Sequence, residues 1–433
     1  MNLLARALRL TGHVDEDRLC ASIGEVVAAV GILRDPASAI DPASAPPAIT
    51  TPAIGAPADP AVIRAVVAGP AADRDRRCVE ILRQDRDRSP ATPLGPPIRF
   101  HVIRCGRDDI ILGLVADPSV LDLRSVYLVL GAVMQAYLGR FRAGLYPAFA
   151  ASARLGLAGS QRSRAARQAW WLRRLERWRE TANGEVSGAR SRRGRVRTME
   201  LALPVDRWAG LTAAAGGGGN AGALAVISLL TTWLRGLGPA PRLPVFATTL
   251  DLRDYAGLGP VIGPLTDRIV FALDLDGEPQ LTFGDLARRA HAGLLDTVVH
   301  YLPHDDVIAL GESHRLLDPR RPAQLWNTCV HYCANPPASD RTRGEETLAR
   351  RGLSIELFCE SALAGHGAPA PHGPGDGTAM EFHVAESGPA AMALVVNFDD
   401  SLQDATHVSA MLACLDALAG KIVAAPMAAV SSL

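Results

Sequence analysis

The sequence predicts an α+β protein built as two lobes of the same class, and three observations carry that prediction. The chain has 433 residues, 48% of them hydrophobic, which is too long for one ordinary core and enough to build two of roughly 200 residues each. Strand-like and amphipathic helical segments are mixed along it, without the regular strand–helix alternation of a doubly wound sheet. The mixed pattern occurs twice, on either side of an arginine-rich segment at 162–197, and this places the lobes at 1–160 and 161–433.

The first lobe opens with "LLARALRLTG" at 3–12, which alternates as a strand does. In the next segment Leu19, Ile23, Val26, Val27, Val30 and Leu33 recur at spacings of three and four, the mark of an amphipathic helix, and Asp15 or Asp17 is placed to cap it. From Pro36 to about Asp73 proline and alanine dominate, and an irregular insert is expected because proline offers no amide donor to a helix or a sheet. "PPIRFHVIRCGRDDIILGLVAD" then reads as a β-hairpin turning at 105–108, followed by a helix over 125–137.

The segment 162–197 carries twelve arginines against three glutamates, with Trp170, Trp171 and Trp178 on or near one face of a helix. "GEVSGARSRRGR" after it is a linker. The second lobe begins with strand "RTMELALPV" and helix "RWAGLTAAAG", and a glycine run leads into a buried helix around 223–234. Strand "LPVFATTLDLR" and helix "FGDLARRAHAGLLDTVVHY" come next. Four strand candidates follow, "LWNTCVHYCA", "LSIELFCE", "AMEFHVAE" and "AAMALVVNF", and "ATHVSAMLACLDALAGKIVAAP" closes the chain as a helix. A Pro/Gly loop, "GHGAPAPHGPGDG", interrupts the strands.

Bulk chemistry narrows the function. Lys and Arg number 45 and Asp and Glu 45, so no global field selects nucleic acid or a membrane surface. The buried helix around 223–234 is about a dozen residues, short of the roughly 20 that span a bilayer. Seven cysteines, an odd number, and an N-terminus without a signal-peptide pattern point to reduced thiols and a cytoplasmic location. GxSxG, HExxH and paired CxxC motifs are missing.

The candidate chemistry lies in "IILGLVADPSVLDLRSVYLVL", where an apolar strand stops at Asp117-Pro118 and a second carboxylate, Asp122, opens a helix. Asp117 and Ser119 are its candidate catalytic groups, while Pro118 can hold no proton because its nitrogen is an amide. The bland alternative is a turn after a strand. His300 and His304 flank Pro303 beside Asp305 and Asp306, and His304 is a further candidate base. Cys329, His331 and Cys333 alternate along one strand, but i, i+2 side chains stand roughly 7 Å apart, too far for one ion, so no metal site is expected. Gly216 to Asn220 lacks the Gly-Lys-Ser/Thr of a phosphate loop and reads as a helix connection.

The order of these segments resembles the condensation domains of nonribosomal peptide synthetases, within the chloramphenicol acetyltransferase-like superfamily, from about Ala7 to Pro426. "ALRLTGHVDEDRLCASIGEVVAAVGILRD" is similar to the family's opening strand and helix, and "LGPPIRFHVIRCGRDDIILGLV" to the hairpin before its active site. "YPAFAASAR", "WWLRRLERW", "VIGPLTDRIVFALDLDGEPQLTFGDLARRA", "HYLPHDD", "RRPAQLWNTCVHY" and "VVNFDDSLQDATHVSAMLACLDAL" follow in the family's order. No one of these motifs is specific; the ordered set is.

The resemblance implies two acetyltransferase-like lobes in a V-shaped pseudo-dimer. It also implies substrates tethered to the phosphopantetheine of a peptidyl or acyl carrier protein, a carrier or synthetase module as partner, and no bound cofactor. The family's active-site motif is two histidines, three variable residues and Asp-Gly. Aligned on Asp122, its second histidine falls on Pro118 and its glycine on Leu123. Its Arg-His-Glu motif has become Ala29-Val30-Gly31, with Leu33 and Arg34 retained, so the resemblance implies a structural ion pair between Arg34 and Asp122. Two readings stand: a stand-alone acyl or aminoacyl transferase working without the histidine, or a non-catalytic protein that docks a carrier protein or a tailoring enzyme. The basic segment 162–197 is either a solvated face or a docking surface for an acidic carrier.

Overall fold

The computed structural model describes residues 3–34, 61–87, 96–149, 161–181, 196–218, 221–236, 243–256, 258–275, 280–317, 328–332, 352–359, 363, 380–386, 391–400 and 403–432. The expected linker at 184–195, residues 36–60 of the Pro/Ala insert, the loop at 365–377 and Cys333 lie outside these. Strands and helices are mixed in both halves, as an α+β fold requires. The chain separates into two compact units. One holds residues 1–158, 251–266 and 335–373; the other holds 159–250, 267–334 and 374–433. A single boundary near 160 therefore does not describe the chain, because it returns to the first unit twice after leaving it.

The first unit is built on a five-stranded sheet. Its strands are β1 (Leu4–Gly12), β2 (Ala61–Val66), β3 (Ile98–Gly106), β4 (Asp109–Ala116) and β9 (Leu353–Leu357), in the order β2-β3-β4-β1-β9. β3 and β4 form the expected hairpin, and β4 pairs antiparallel with β1, Leu8 opposite Leu112. Helix α1 (Glu16–Ala29) starts where Asp15 accepts a hydrogen bond from the Arg18 N–H at 3.0 Å. A short α2 (Gly31–Arg34) follows it. β2 pairs parallel with β3 and leads to α3 (Ala71–Arg86), so the insert becomes regular well before Asp73. Charged residues fill most of α3, and only Cys78, Val79 and Leu82 give it a buried apolar stripe, too sparse to read as a periodic pattern. α4 (Leu123–Tyr137) packs against the sheet and α1. β9 arrives from late in the chain and adds to the free edge of β1, Leu10 opposite Ile355.

The second unit holds a six-stranded mixed sheet. Its strands are β5 (Val196–Pro204), β6 (Val245–Asp251), β7 (Thr266–Ala272), β8 (Thr328–Tyr332), β10 (Met380–Glu386) and β11 (Ala391–Asp399), in the order β5-β11-β10-β8-β6-β7. Alternation sends Val330, Phe382, Leu394 and Val396 to one face. There they meet Leu224, Ile227 and Leu230 of α7 (Ala221–Gly236), Leu286 of α9 (Phe283–Val299) and Leu415 of α11 (Ala405–Ala424). Helix α6 (Val205–Ala214) joins β5 to the glycine connection that precedes α7. α11 is long and apolar enough by composition to cross a membrane, but its Val408, Met411, Leu412 and Leu415 are buried in this core. The opposite face carries Ala247, Val270, Ala272 and Cys329. It packs Trp171, Leu175 and Trp178 of α5 (Gln161–Thr181) and Val307 of α10 (His304–Ser313). The arginines of α5 meet acidic side chains of the same unit, Arg164 with Asp306 at 2.9 Å and Arg177 with Asp274 at 2.7 Å.

Candidate functional site

The stretch "ADPSVLD" is a turn held from both ends. β4 delivers Asp117, whose N–H donates to the carbonyl of Pro97 at 2.8 Å. The Asp117 carboxylate then accepts from the Ser119 N–H at 2.8 Å and from the Ser119 hydroxyl at 2.6 Å, closing an Asx-type turn around Pro118. Asp117, Pro118 and Ser119 are half-buried, while Val120 and Leu121 point fully into the core. The Ser119 hydroxyl thus spends its proton on Asp117. A carboxylate alone is a weak base toward an alcohol, and no imidazole of this turn joins the pair.

Asp122 plays a different part. It is the N-cap of α4, accepting from the Ser125 N–H at 2.8 Å. It is fully buried, and its cation is Arg253, whose Nη1 and Nη2 lie 2.8 and 3.1 Å from the two carboxylate oxygens. The Leu265 N–H and the Thr266 hydroxyl complete the shell at 2.8 and 3.0 Å. The expected Arg34–Asp122 pair does not form. Arg34 is exposed at the end of α2, and the guanidinium that matches a buried carboxylate comes from the chain's first return, in α8 (Leu252–Ala256).

Arg253 has every nitrogen engaged. Besides Asp122 it donates to the Val261 and Gly263 carbonyls at 2.6 and 2.8 Å, to the Ser125 hydroxyl at 2.7 Å and to Asp251 at 3.1 Å. The Ser125 hydroxyl donates in turn to the Gly263 carbonyl at 2.8 Å, and Gly263 packs so closely on Phe149 that an added Cβ would meet the ring at 2.2 Å. Outside this knot Arg124 clamps Asp251 and Asp254 at 2.9 and 2.7 Å. The start of α4 is therefore the anchor that holds 251–266 in the first unit. Sequence reasoning missed Arg253 and Ser125. The only local signal for Arg253 was a charged residue at the end of an apolar strand, and its partner lies 131 positions away.

His304 belongs to the second unit. It opens α10, is buried, and donates its backbone N–H to Asp267 Oδ2 at 3.1 Å. The Tyr301 hydroxyl donates to the same oxygen at 2.6 Å, and the Arg268 N–H to Oδ1 at 2.7 Å. Burial pushes the Asp267 carboxyl up to about 6 in spite of these three donors. His300 stacks on Trp170 with ring centroids 4.5 Å apart and its Nδ1 lies 2.8 Å from the Asp296 carbonyl, a packing role at the end of α9. Among the described residues, His331, Glu381 and His383 of the second unit bring metal-type donor atoms within 4.8 Å of one another.

No protein-family model matches the chain, and no curated sequence does. Solved structures do. The tallysomycin biosynthesis protein TlmII is similar over 99% of this chain and 94% of its own, with 36% identity and a TM-score of 0.77. The teicoplanin X-domain, in its complex with OxyB, covers 100% of this chain and 91% of its own at 18% identity and a TM-score of 0.62. VibH, a nonribosomal peptide synthetase condensation enzyme, covers 98% and 92% at 14% identity and 0.65. The last two likenesses show the fold; the first, together with that fold, shows kinship, and the chain belongs to the family of nonribosomal peptide synthetase condensation domains and their condensation-like relatives in natural-product biosynthesis.

Proposed function

We propose that this protein is a stand-alone condensation-family protein of nonribosomal peptide or related antibiotic biosynthesis, that it engages acyl or aminoacyl groups carried on the phosphopantetheine of a carrier protein, and that it does so without histidine-dependent amide-bond formation. The observation that supports this reading is the use made of the active-site turn. Pro118 stands where a base would be, the Ser119 hydroxyl is given to Asp117, and Asp122 is locked between Arg253, Ser125, Leu265 and Thr266. Each ionisable or nucleophilic group of the turn is spent on holding the chain. Any transfer that persists rests on positioning a carrier-bound amine against a thioester, since proximity alone can supply several kcal/mol of a barrier.

The test is a transfer assay with carrier-bound donors and acceptors, run as a pH–rate profile on the wild type and on Ser119→Ala, Asp117→Asn and His304→Ala. The expected result is no inflection near pH 6–7, where histidine titrates, and less than about a tenfold loss in each variant, roughly 1.4 kcal/mol. Collapse of transfer in one variant would identify a relocated catalytic group and overturn the reading. A second reading is recruitment of a tailoring enzyme. It is favoured by the likeness to an X-domain whose solved structure is a complex with OxyB. Absence of transfer together with tight binding to a synthetase module or a tailoring enzyme would establish it.

A further inference from the structure

The six-stranded sheet of the second unit carries a side-chain group that this reading leaves unused. β8 and β10 run parallel, with His331 opposite His383 and Cys329 opposite Glu381. Alternation puts these four side chains on the face away from Val330 and Phe382. The two imidazoles stack with centroids 4.6 Å apart and planes 15° from parallel. His331 and His383 are 7% and 5% exposed, and the Nε2 atom of each is buried without a hydrogen-bond partner. Two orphaned ring nitrogens side by side are costly, because each lost its water and gained nothing in return. The Glu381 carboxylate comes nearest, its Oε2 3.9 Å from His383 Nε2, beyond hydrogen-bond reach.

Two imidazole nitrogens and one carboxylate oxygen, all within 4.8 Å, are a donor set for a borderline divalent ion. Arg268 opposes a cation by charge. Its Nη2 lies 3.9 Å from the other carboxylate oxygen, Oε1, which leaves Oε2 turned to His383 and gives the carboxylate an orienting neighbour. Burial pushes the Cys329 thiol up to about 12, so it stays protonated and adds no donor.

We propose that His331, Glu381 and His383 form a site for one divalent transition-metal ion of the zinc class. The donors lie within 4.8 Å of one another and need to close to roughly 3.4 Å for bonds of about 2.1 Å; because an imidazole binds metal in its ring plane, the two rings, 15° from parallel, must also tilt toward one another. The sequence put His331 in the wrong company. Its strand-mates at i±2 are too far to share an ion, whereas the neighbouring strand supplies partners in register. The bound ion ties β8 to β10, strands separated in sequence by the 47 residues between Tyr332 and Met380. This site stands on residues of the second unit alone and is independent of the transfer or recruitment reading.

The experiment uses the full chain, stripped with a chelator and titrated with Zn2+ and with Co2+. Equilibrium dialysis should give one ion per chain, Co2+ should show the visible bands of a low-coordinate nitrogen–oxygen site, and the melting temperature should rise on loading. His331→Ala and His383→Ala should each weaken binding by about 100-fold and remove the Co2+ bands, and the near-isosteric Glu381→Gln by about tenfold. His13→Ala, at an exposed site, should leave binding unchanged. No stoichiometric ion in the wild type, or equal affinity in Glu381→Gln and in the His331→Ala/His383→Ala double variant, would overturn the proposal.

Discussion

Asp122 shows how one carboxylate can be read two ways and decided by its neighbours. Fully buried, it accepts from Arg253, Ser125, Leu265 and Thr266, so its charge is compensated at every lone pair. Removing Arg253 leaves the buried Asp122 carboxylate without its cation, and removing Asp122 leaves the buried Arg253 with only Asp251 as a counter-charge; breaking a buried pair costs roughly 3–5 kcal/mol. Asp122→Ala and Arg253→Ala should each lose about that much in denaturant unfolding. The double variant should lose less than the sum, because the residues act as one unit. An Asp122→Ala protein with an unchanged melting temperature and abolished transfer would make the residue catalytic. Asp267 gives the pH dependence. Its carboxyl is raised from 3.8 to about 6 by burial, so between those values the folded state holds a proton that the unfolded state has released. Stability therefore falls as pH rises through that window, by up to about 3 kcal/mol from a shift of about two units. Asp267→Asn should flatten this fall in melting temperatures taken between pH 4 and 6.5, and an unchanged profile would show that burial is relieved by water.

Elements are fixed in this fold by how closely neighbours approach. Helix α9 crosses β7 at Gly293, where an added Cβ would lie 2.6 Å from the Ala272 carbonyl oxygen. A backbone atom cannot step aside as a side chain does, so Gly293→Ala must lift the helix off the sheet. The expected cost is about 1–3 kcal/mol in chemical denaturation. The capping box at the start of the same helix is complete, with the Thr282 hydroxyl accepting from the Asp285 N–H and the Asp285 carboxylate accepting from the Thr282 N–H. The helix is thus pinned at its end and positioned at its middle. α5 is placed by its tryptophans: Trp171 and Trp178 fill the face opposite α7, and the Trp171 Nε1–H donates to the His300 carbonyl at 3.0 Å. Its arginines, which in the sequence looked like a docking surface or a solvated face, include two that are engaged with Asp274 and Asp306.

At the scale of the molecule, the first unit is not a contiguous piece of chain. β9 covers the edge of β1, and 251–266 supplies the cation and the amide that satisfy Asp122. A fragment of residues 1–160 lacks both. It would expose a strand edge open to pairing with other chains and bury a carboxylate without its partner. Expressed alone, it should show no cooperative unfolding transition and should aggregate. A soluble fragment with a sharp transition would mean that the two returning segments contribute little. The same interleaving gives the turn a structural duty: Asp122 and Ser125 hold a segment that belongs to the first unit by contact and not by sequence.

The sequence by itself determined what depends on near neighbours. Period-two and period-3.6 patterns placed β1, α1, the β3–β4 hairpin, α7, α9 and α11, and offered Asp15 or Asp17 as the first helix cap, of which the structure uses Asp15. The order of weak motifs was enough to point to the condensation family, and proline at 118 was enough to remove a base there. Where apolar spacing was thin the pattern failed, as in α3, and where proline dominated it hid β2. Tertiary structure alone decided the pairings between distant residues. Arg253, not Arg34, reached Asp122; β9 joined β1; and His331 met His383 and Glu381. Local sequence fixes which backbone conformation is cheap, but the partner of a buried charge or an orphaned ring nitrogen is chosen by which strands and returning segments share a face. That choice is made only when the sheets close.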